Sequence, residues 1–178
     1  YEAGITHQIL LFKLNPIIMG FSGIDFPEID AYYPKMEKTG SELKVWRIGV
    51  LPITGFALMA YASTVEPFRA ANVLSRRHLY EVINIAPSLA PVASSGAASV
   101  TPQATIKQPL NLDYLFVVAG GNPMVFKDRD IFAFLGRMSR FGARLGGVSA
   151  GPAILALAGL MGGRRMTVHW EHGEALSE

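Results

Sequence analysis

The chain of 178 residues contains no cysteine. That one absence excludes disulfides, thiolate metal sites and a cysteine nucleophile, and it suits a reducing compartment. Charge is also sparse, at 17% of residues, with a net of +2. The basic residues are spread along the chain, without a dense Lys/Arg run or an interleaved aromatic platform, which argues against direct nucleic-acid binding by this segment. No unbroken apolar run is long enough to span a membrane. Residues 9–26 (ILLFKLNPIIMGFSGIDF) come nearest, but Lys13, Pro16 and Asp25 interrupt them and no basic signal-peptide start precedes them. The chain therefore reads as soluble and cytoplasmic, with no membrane partner. It has no internal repeat.

What is present is hydrophobic residue, 50% of the chain, enough for a substantial core and against global disorder. The composition changes near Lys44. Before it, Pro16, Pro27, Pro34 and the polar residues 35–42 read as loop or linker, so residues 1–44 are expected to be an arm or leader and 45–178 the domain. From there the pattern is regular. Residues 46–52 (WRIGVLP) predict a buried strand ended by Pro52 and the Thr54-Gly55 turn. Residues 58–77 predict a helix, with Ser63 or Thr64 as its cap and Glu66 and Pro67 in its first turn. Residues 80–86 (YEVINIA) predict a second strand, and 87–109 a short hairpin turning near Gly96. Residues 112–119 (LDYLFVVA) predict a strand buried on both faces and broken by Gly120-Gly121-Asn122-Pro123. A helix over 130–141, a strand over 144–148, a buried helix over 152–161 and the start of a strand at 165–170 follow. Such alternation implies a mostly parallel α/β sheet covered on both faces, with ligands bound beyond the carboxyl ends of its strands. Gly120-Gly121 and Ser149 both fall there.

Gly147-Val148-Ser149-Ala150-Gly151 matches the Gly-x-Ser-x-Gly pattern of a nucleophile elbow. A sharp turn lifts one side chain above the sheet, glycines permit close backbone approach, and the following helix start favours a carboxylate or developing oxyanion. The same residues also suit a plain strand-to-helix turn with serine as cap, and the sequence leaves these two readings level. An α/β-hydrolase triad needs Asp or Glu, then His, and further strands after the serine. With 29 residues following Ser149, and His169 among them, that topology is not expected.

Three stretches in order carry a family resemblance: WRIGVLPITGFALMAYASTVEPFRAAN, LDYLFVVAGGNP and GARLGGVSAGPAILALAGLMGGRRMTVHWEH. Residues 46–172, about 70% of the chain, resemble the amidotransferase-like sensor domain of AraC-type transcriptional regulators (the GlxA group), within the PfpI-type class I glutamine amidotransferase superfamily. The resemblance implies a flavodoxin-like three-layer sandwich. It places Ser149 at the superfamily's cysteine position, the Gly121 and Ala150 amides at the oxyanion hole and His169 at the histidine that partners the cysteine. The enzymes' glutamate falls among residues 58–62, where this chain has no acid; Glu66 is the nearest. It also implies further strands and a helix after His169, so the domain reads as incomplete at its C-terminus.

A serine hydroxyl is not ionised by a helix end and needs a positioned base, which His169 supplies only if it reaches Ser149. Glu171 and His172 next to it suggest a metal pair, but adjacent strand residues point to opposite faces; no metal or cofactor is expected. The expected function is therefore ligand sensing without catalysis. Ser149, Ala150, Gly120, Gly121 and Asn122 would hold a carboxylate, with Glu66, Arg69, His169 and Trp170 around them. The resemblance implies a small nitrogenous metabolite: an amino acid, a betaine or a carnitine-like compound. Tyr61, Phe68 and Trp170 would offer cation–π contacts, although core packing is the commoner role for such residues, and Arg69 equally suits a solvated helix charge. A homodimer is expected, with DNA bound only through a helix-turn-helix domain absent from this chain. The alternative is a hydrolase or amidase using Ser149 and His169. A third is an interaction module without a pocket.

Overall fold

The computed structural model describes residues 44–168 and Gly173. The expected arm lies outside the described residues except for Lys44, and so do His169 and Trp170.

Strand β1 (Trp46–Pro52) is apolar except for Arg47, and from Ile48 onward it is buried. A turn through Gly55 leads into α1 (Leu58–Ser75). Thr64 does not cap this helix, as the sequence suggested. Its hydroxyl donates to the Ala60 carbonyl at 2.8 Å from inside the helix. Pro67 likewise falls in the helix interior rather than the first turn, so the Ser63 carbonyl lacks its usual amide partner. The helix ends at Arg76, which adopts the left-handed conformation with φ 52°.

After β2 (Tyr80–Ala86), the antiparallel hairpin forms from β3 (Val92–Ala93) and β4 (Ser99–Val100). The rest of the expected hairpin does something else: β5 (Ala104–Thr105) leaves it and joins the main sheet parallel to β2. β6 (Tyr114–Ala119) follows, then a 3₁₀ turn (Pro123–Val125) capped by the Asn122 side chain.

Helix α2 (Arg129–Arg140) shows clear local encoding. Asp128 caps it, accepting from the Asp130 and Ile131 amides at 3.0 Å. Ile131, Phe134, Leu135 and Met138 repeat at i, i+3, i+4 and i+7 and are buried. β7 (Arg144–Ser149) leads directly into α3 (Gly151–Leu157). That helix is shorter than the expected 152–161, because Gly159 at φ +72° stops it. The Gly159 and Leu160 amides donate back to the Ala156 and Leu155 carbonyls at 2.8 and 3.0 Å, closing a Schellman motif. Residues 165–168 form no strand; the remainder of that predicted strand lies outside the described residues.

The sheet order is β5-β2-β1-β6-β7, with parallel pairing throughout. One face buries Leu51, Ile85, Leu115 and Val117 beneath α2 and α3. The other buries Ile48, Val50, Phe56 and Val118, with Tyr61, Val65 and Phe68 of α1 packed against them. The expected three layers are thus present. The chain runs from β1 outward to β2 and β5, then returns to the opposite side of β1 for β6. In sheets of this kind ligands bind at such a reversal, beyond the carboxyl ends of the strands.

Candidate functional site

Ser149 closes β7 with φ 57°, a conformation that a non-glycine residue adopts at a cost of about 1–3 kcal/mol. Its side chain is exposed and makes no hydrogen bond to any described residue. Two glycines make the turn possible. A Cβ on Gly151 would stand 2.0 Å from the Val117 carbonyl oxygen, and one on Gly147 would stand 2.3 Å from the Pro152 nitrogen. Backbone is what blocks both positions, so no side-chain movement could make room.

The neighbouring strand brings up the second turn. Ala119 pairs with Ser149, so Gly120 and Gly121 lie one strand spacing from the elbow, about 4.8 Å. A Cβ on Gly120 would meet the Gly55 carbonyl oxygen at 2.7 Å, which locks this turn against the one after β1. Gly121, at φ +63°, has open space beside it, and its amide is free of partners among the described residues. The β3–β4 hairpin braces the same floor: the Gly55 amide donates to Ala93 at 2.9 Å and the Ser95 amide to Phe56 at 2.8 Å. Sequence reading missed this participation of 53–56. The available signal was a Thr-Gly turn at the end of a buried strand, the same signature that singled out the other two turns.

Residues 55–178 match the DJ-1/PfpI family. The chain belongs to that family. Among curated relatives, the DJ-1/PfpI chain is 43% identical over 144 residues to the HTH-type transcriptional regulator GlxA of Rhizobium meliloti (strain 1021), covering 80% of this chain and 44% of that one. It is 38% identical over 130 residues to the HTH-type transcriptional regulator CdhR of Pseudomonas aeruginosa, covering 72% and 38%. It therefore spans less than half the length of either regulator. The crystal structure of an AraC family transcriptional regulator from Pseudomonas putida aligns with a TM-score of 0.64 at 21% identity, covering 74% of this chain and 71% of that one. That likeness concerns the fold, which is the mostly parallel sandwich of DJ-1/PfpI proteins.

Within this DJ-1/PfpI domain, Ser149, Ala150, Gly120, Gly121 and Asn122 come together. The Ala150 amide, however, already donates to the Ala119 carbonyl through a long bond of 3.3 Å, and the Asn122 carboxamide oxygen accepts from the Met124 amide at 3.0 Å. Helix α3 has seven residues, so its dipole is small. The Gly121 amide and the Ser149 hydroxyl are the donors here that have no partner among the described residues. Glu66 and Arg69 pair with each other at 2.6 Å, each more than half exposed. Glu66 lies eight residues into α1, about 12 Å along its axis from the end that meets Gly120. The first turn of α1 instead presents the exposed apolar residues Leu58 and Met59.

The aromatic residues take their packing role. The Tyr61 hydroxyl donates to Asn84 Oδ1 at 3.0 Å, and its ring lies 5.5 Å from Phe56. Burial raises its pKa above the ordinary tyrosine value; the Asn84 hydrogen bond opposes this and the charge of Glu66 adds to it. The Phe68 ring lies tilted at 5.1 Å from Tyr80 and 6.1 Å from Phe116. His169 and Trp170, the remaining expected contributors, lie outside the described residues, and no described helix is long and apolar enough to cross a membrane.

Proposed function

We propose that this chain is the ligand-sensing domain of an AraC-type transcriptional regulator. It binds the carboxylate of a small nitrogenous metabolite (an amino acid, a betaine or a carnitine-like compound) and does no chemistry on it. The observation that carries this reading is the exposed, strained Ser149 hydroxyl beside the free Gly121 amide, with no described carboxylate or base in contact with it. Two donors without a base can hold an anion, but they do not activate a hydroxyl. The relatives' regulator identity supports the same reading. In the whole regulator a separate helix-turn-helix domain binds DNA, and the protein acts in the cytoplasm as a homodimer.

A thermal-shift screen of this protein and Ser149→Ala against amino acids, betaines, carnitine and choline tests it. A ligand at one hundred times its Kd adds about 2.7 kcal/mol, a Tm rise of roughly 5–10 °C at this size. A shift with one compound, reduced in Ser149→Ala, is expected. An equal shift in both proteins would move the site away from the elbow.

The strained elbow also favours a second reading, a hydrolase or amidase with Ser149 as nucleophile and His169 as base. Turnover of a chromogenic ester that disappears in both Ser149→Ala and His169→Ala would establish it and displace the sensor.

A further inference from the structure

The net charge of +2 conceals a more basic domain. Residues 45–178 contain twelve Lys and Arg against eight Asp and Glu, a net of +4, whereas 1–44 carry a net of −2. Spread along the sequence, these cations look like ordinary solvated charges, but the topology gathers many of them at one end. Every strand of the main sheet runs parallel, so its amino ends lie together, opposite Ser149. Lys44 and Arg47 enter there with β1, and Arg76, Arg77 and His78 lead into β2. Arg140 ends α2, and Arg144 opens β7. Glu81 and Asp113 are the acids at this end, and each is taken up by one cation: Arg47 Nε lies 3.0 Å from Glu81, and Lys44 pairs with Asp113.

Arg77, Arg140 and Arg144 have no carboxylate partner among the described residues. Arg144 is held in position: its guanidinium donates to the Tyr114 hydroxyl at 2.9 Å and lies 5.5 Å from that ring. From β2 across β1 and β6 to β7 is three strand spacings, about 14 Å, comparable with the roughly 12 Å width of the DNA major groove.

We infer that the amino end of the sheet, around Arg77, Arg140 and Arg144, is a contact surface for the phosphate backbone of duplex DNA. The contact is sequence-independent and lies on the opposite end from the ligand site. It rests on the regulator reading for the choice of polyanion, and it differs from the expectation that DNA is met only through another domain. A positive patch of this width neutralises phosphates and releases counterions, so its binding weakens steeply with salt.

The test measures fluorescence anisotropy of a labelled 20-base-pair duplex of arbitrary sequence with the full chain, from about 50 to 200 mM salt. Arg140→Gln/Arg144→Gln is compared with Arg164→Gln/Arg165→Gln, which removes equal charge elsewhere. The first pair is expected to lose roughly tenfold in affinity and to flatten the log–log salt slope by about 2, with little change in the second. If the loss of the Tyr114 contact unfolds the first variant, Arg77→Gln/Arg140→Gln reads the same surface. Equal losses in both pairs, absence of salt-dependent binding, or a polyglutamate peptide competing as well as the duplex would each overturn the inference. A metabolite shift that persists while duplex binding is absent overturns this contact and leaves the sensor standing.

Discussion

Ala119 and Ser149 stand opposite each other at the last rung of the β6–β7 ladder, and the Ala150 amide reaches back to the Ala119 carbonyl at 3.3 Å. This pairing puts the elbow and the Gly120-Gly121 turn side by side, although twenty-seven residues of chain lie between Gly121 and Ser149. Everything proposed for the site depends on it.

The elbow tolerates no side chain at its two flanking glycines. Gly151→Ala forces a Cβ into the Val117 carbonyl at 2.0 Å, and overpacking against backbone costs about 3 kcal/mol or more. Gly162→Ala, with nothing within 4 Å, serves as the neutral control. Chemical denaturation of both variants should separate them clearly; similar midpoints would mean that the turn relaxes freely.

Strain at Ser149 predicts an inverse effect. Ser149→Gly removes the left-handed penalty and should stabilise the domain by up to about 1 kcal/mol, while weakening metabolite binding through loss of the hydroxyl. A gain in stability alongside a loss of binding is the pattern expected of a strained functional residue. If Ser149→Gly lowers stability, the residue is not under strain.

Tyr61 links α1 to β2 through Asn84, which is 9% exposed. Tyr61→Phe leaves the Asn84 oxygen without its donor, at a cost of about 1–3 kcal/mol. Because burial raises the phenol's pKa, the folded state favours the protonated form. Its contribution is fully present below the ordinary tyrosine value near 10 and is lost as pH rises through the raised one. Tyr61→Phe should flatten the alkaline limb of the stability curve; an unchanged limb would place the alkaline loss elsewhere.

Asp113 behaves in the opposite sense. The Lys44 hydrogen bond, followed by that from the Arg47 amide, lowers its pKa. The stabilisation is therefore present above the ordinary aspartate value and is lost as pH falls through the lowered one. Thermal melts of Asp113→Asn between pH 5 and 2 should show a shallower decline than the parent protein. Parallel curves would remove Asp113 from the acid response.

Local chemistry made much of this domain readable in advance. The apolar runs of β1 and β6, the Asp128 cap with its i, i+3, i+4, i+7 stripe, and the glycine spacing around Ser149 all act between residues close in sequence, where sterics and periodicity decide. Errors arose where a distant partner competes with local preference. Thr64 forgoes capping because the helix has already begun six residues earlier, against Gly120. Ala104–Thr105 leaves its hairpin because the edge of β2 offers a ladder.

By itself, then, the sequence determined the alternation of strands and helices, the Gly-x-Ser-x-Gly elbow and the absence of any thiol chemistry. The tertiary structure alone decided which turns share a floor, which aromatic residues are already committed to the core, and that scattered arginines meet at one end. The reason is physical: a residue's conformation is set by its neighbours in the chain. Its partners are set by strand order and register, which no short stretch of sequence contains.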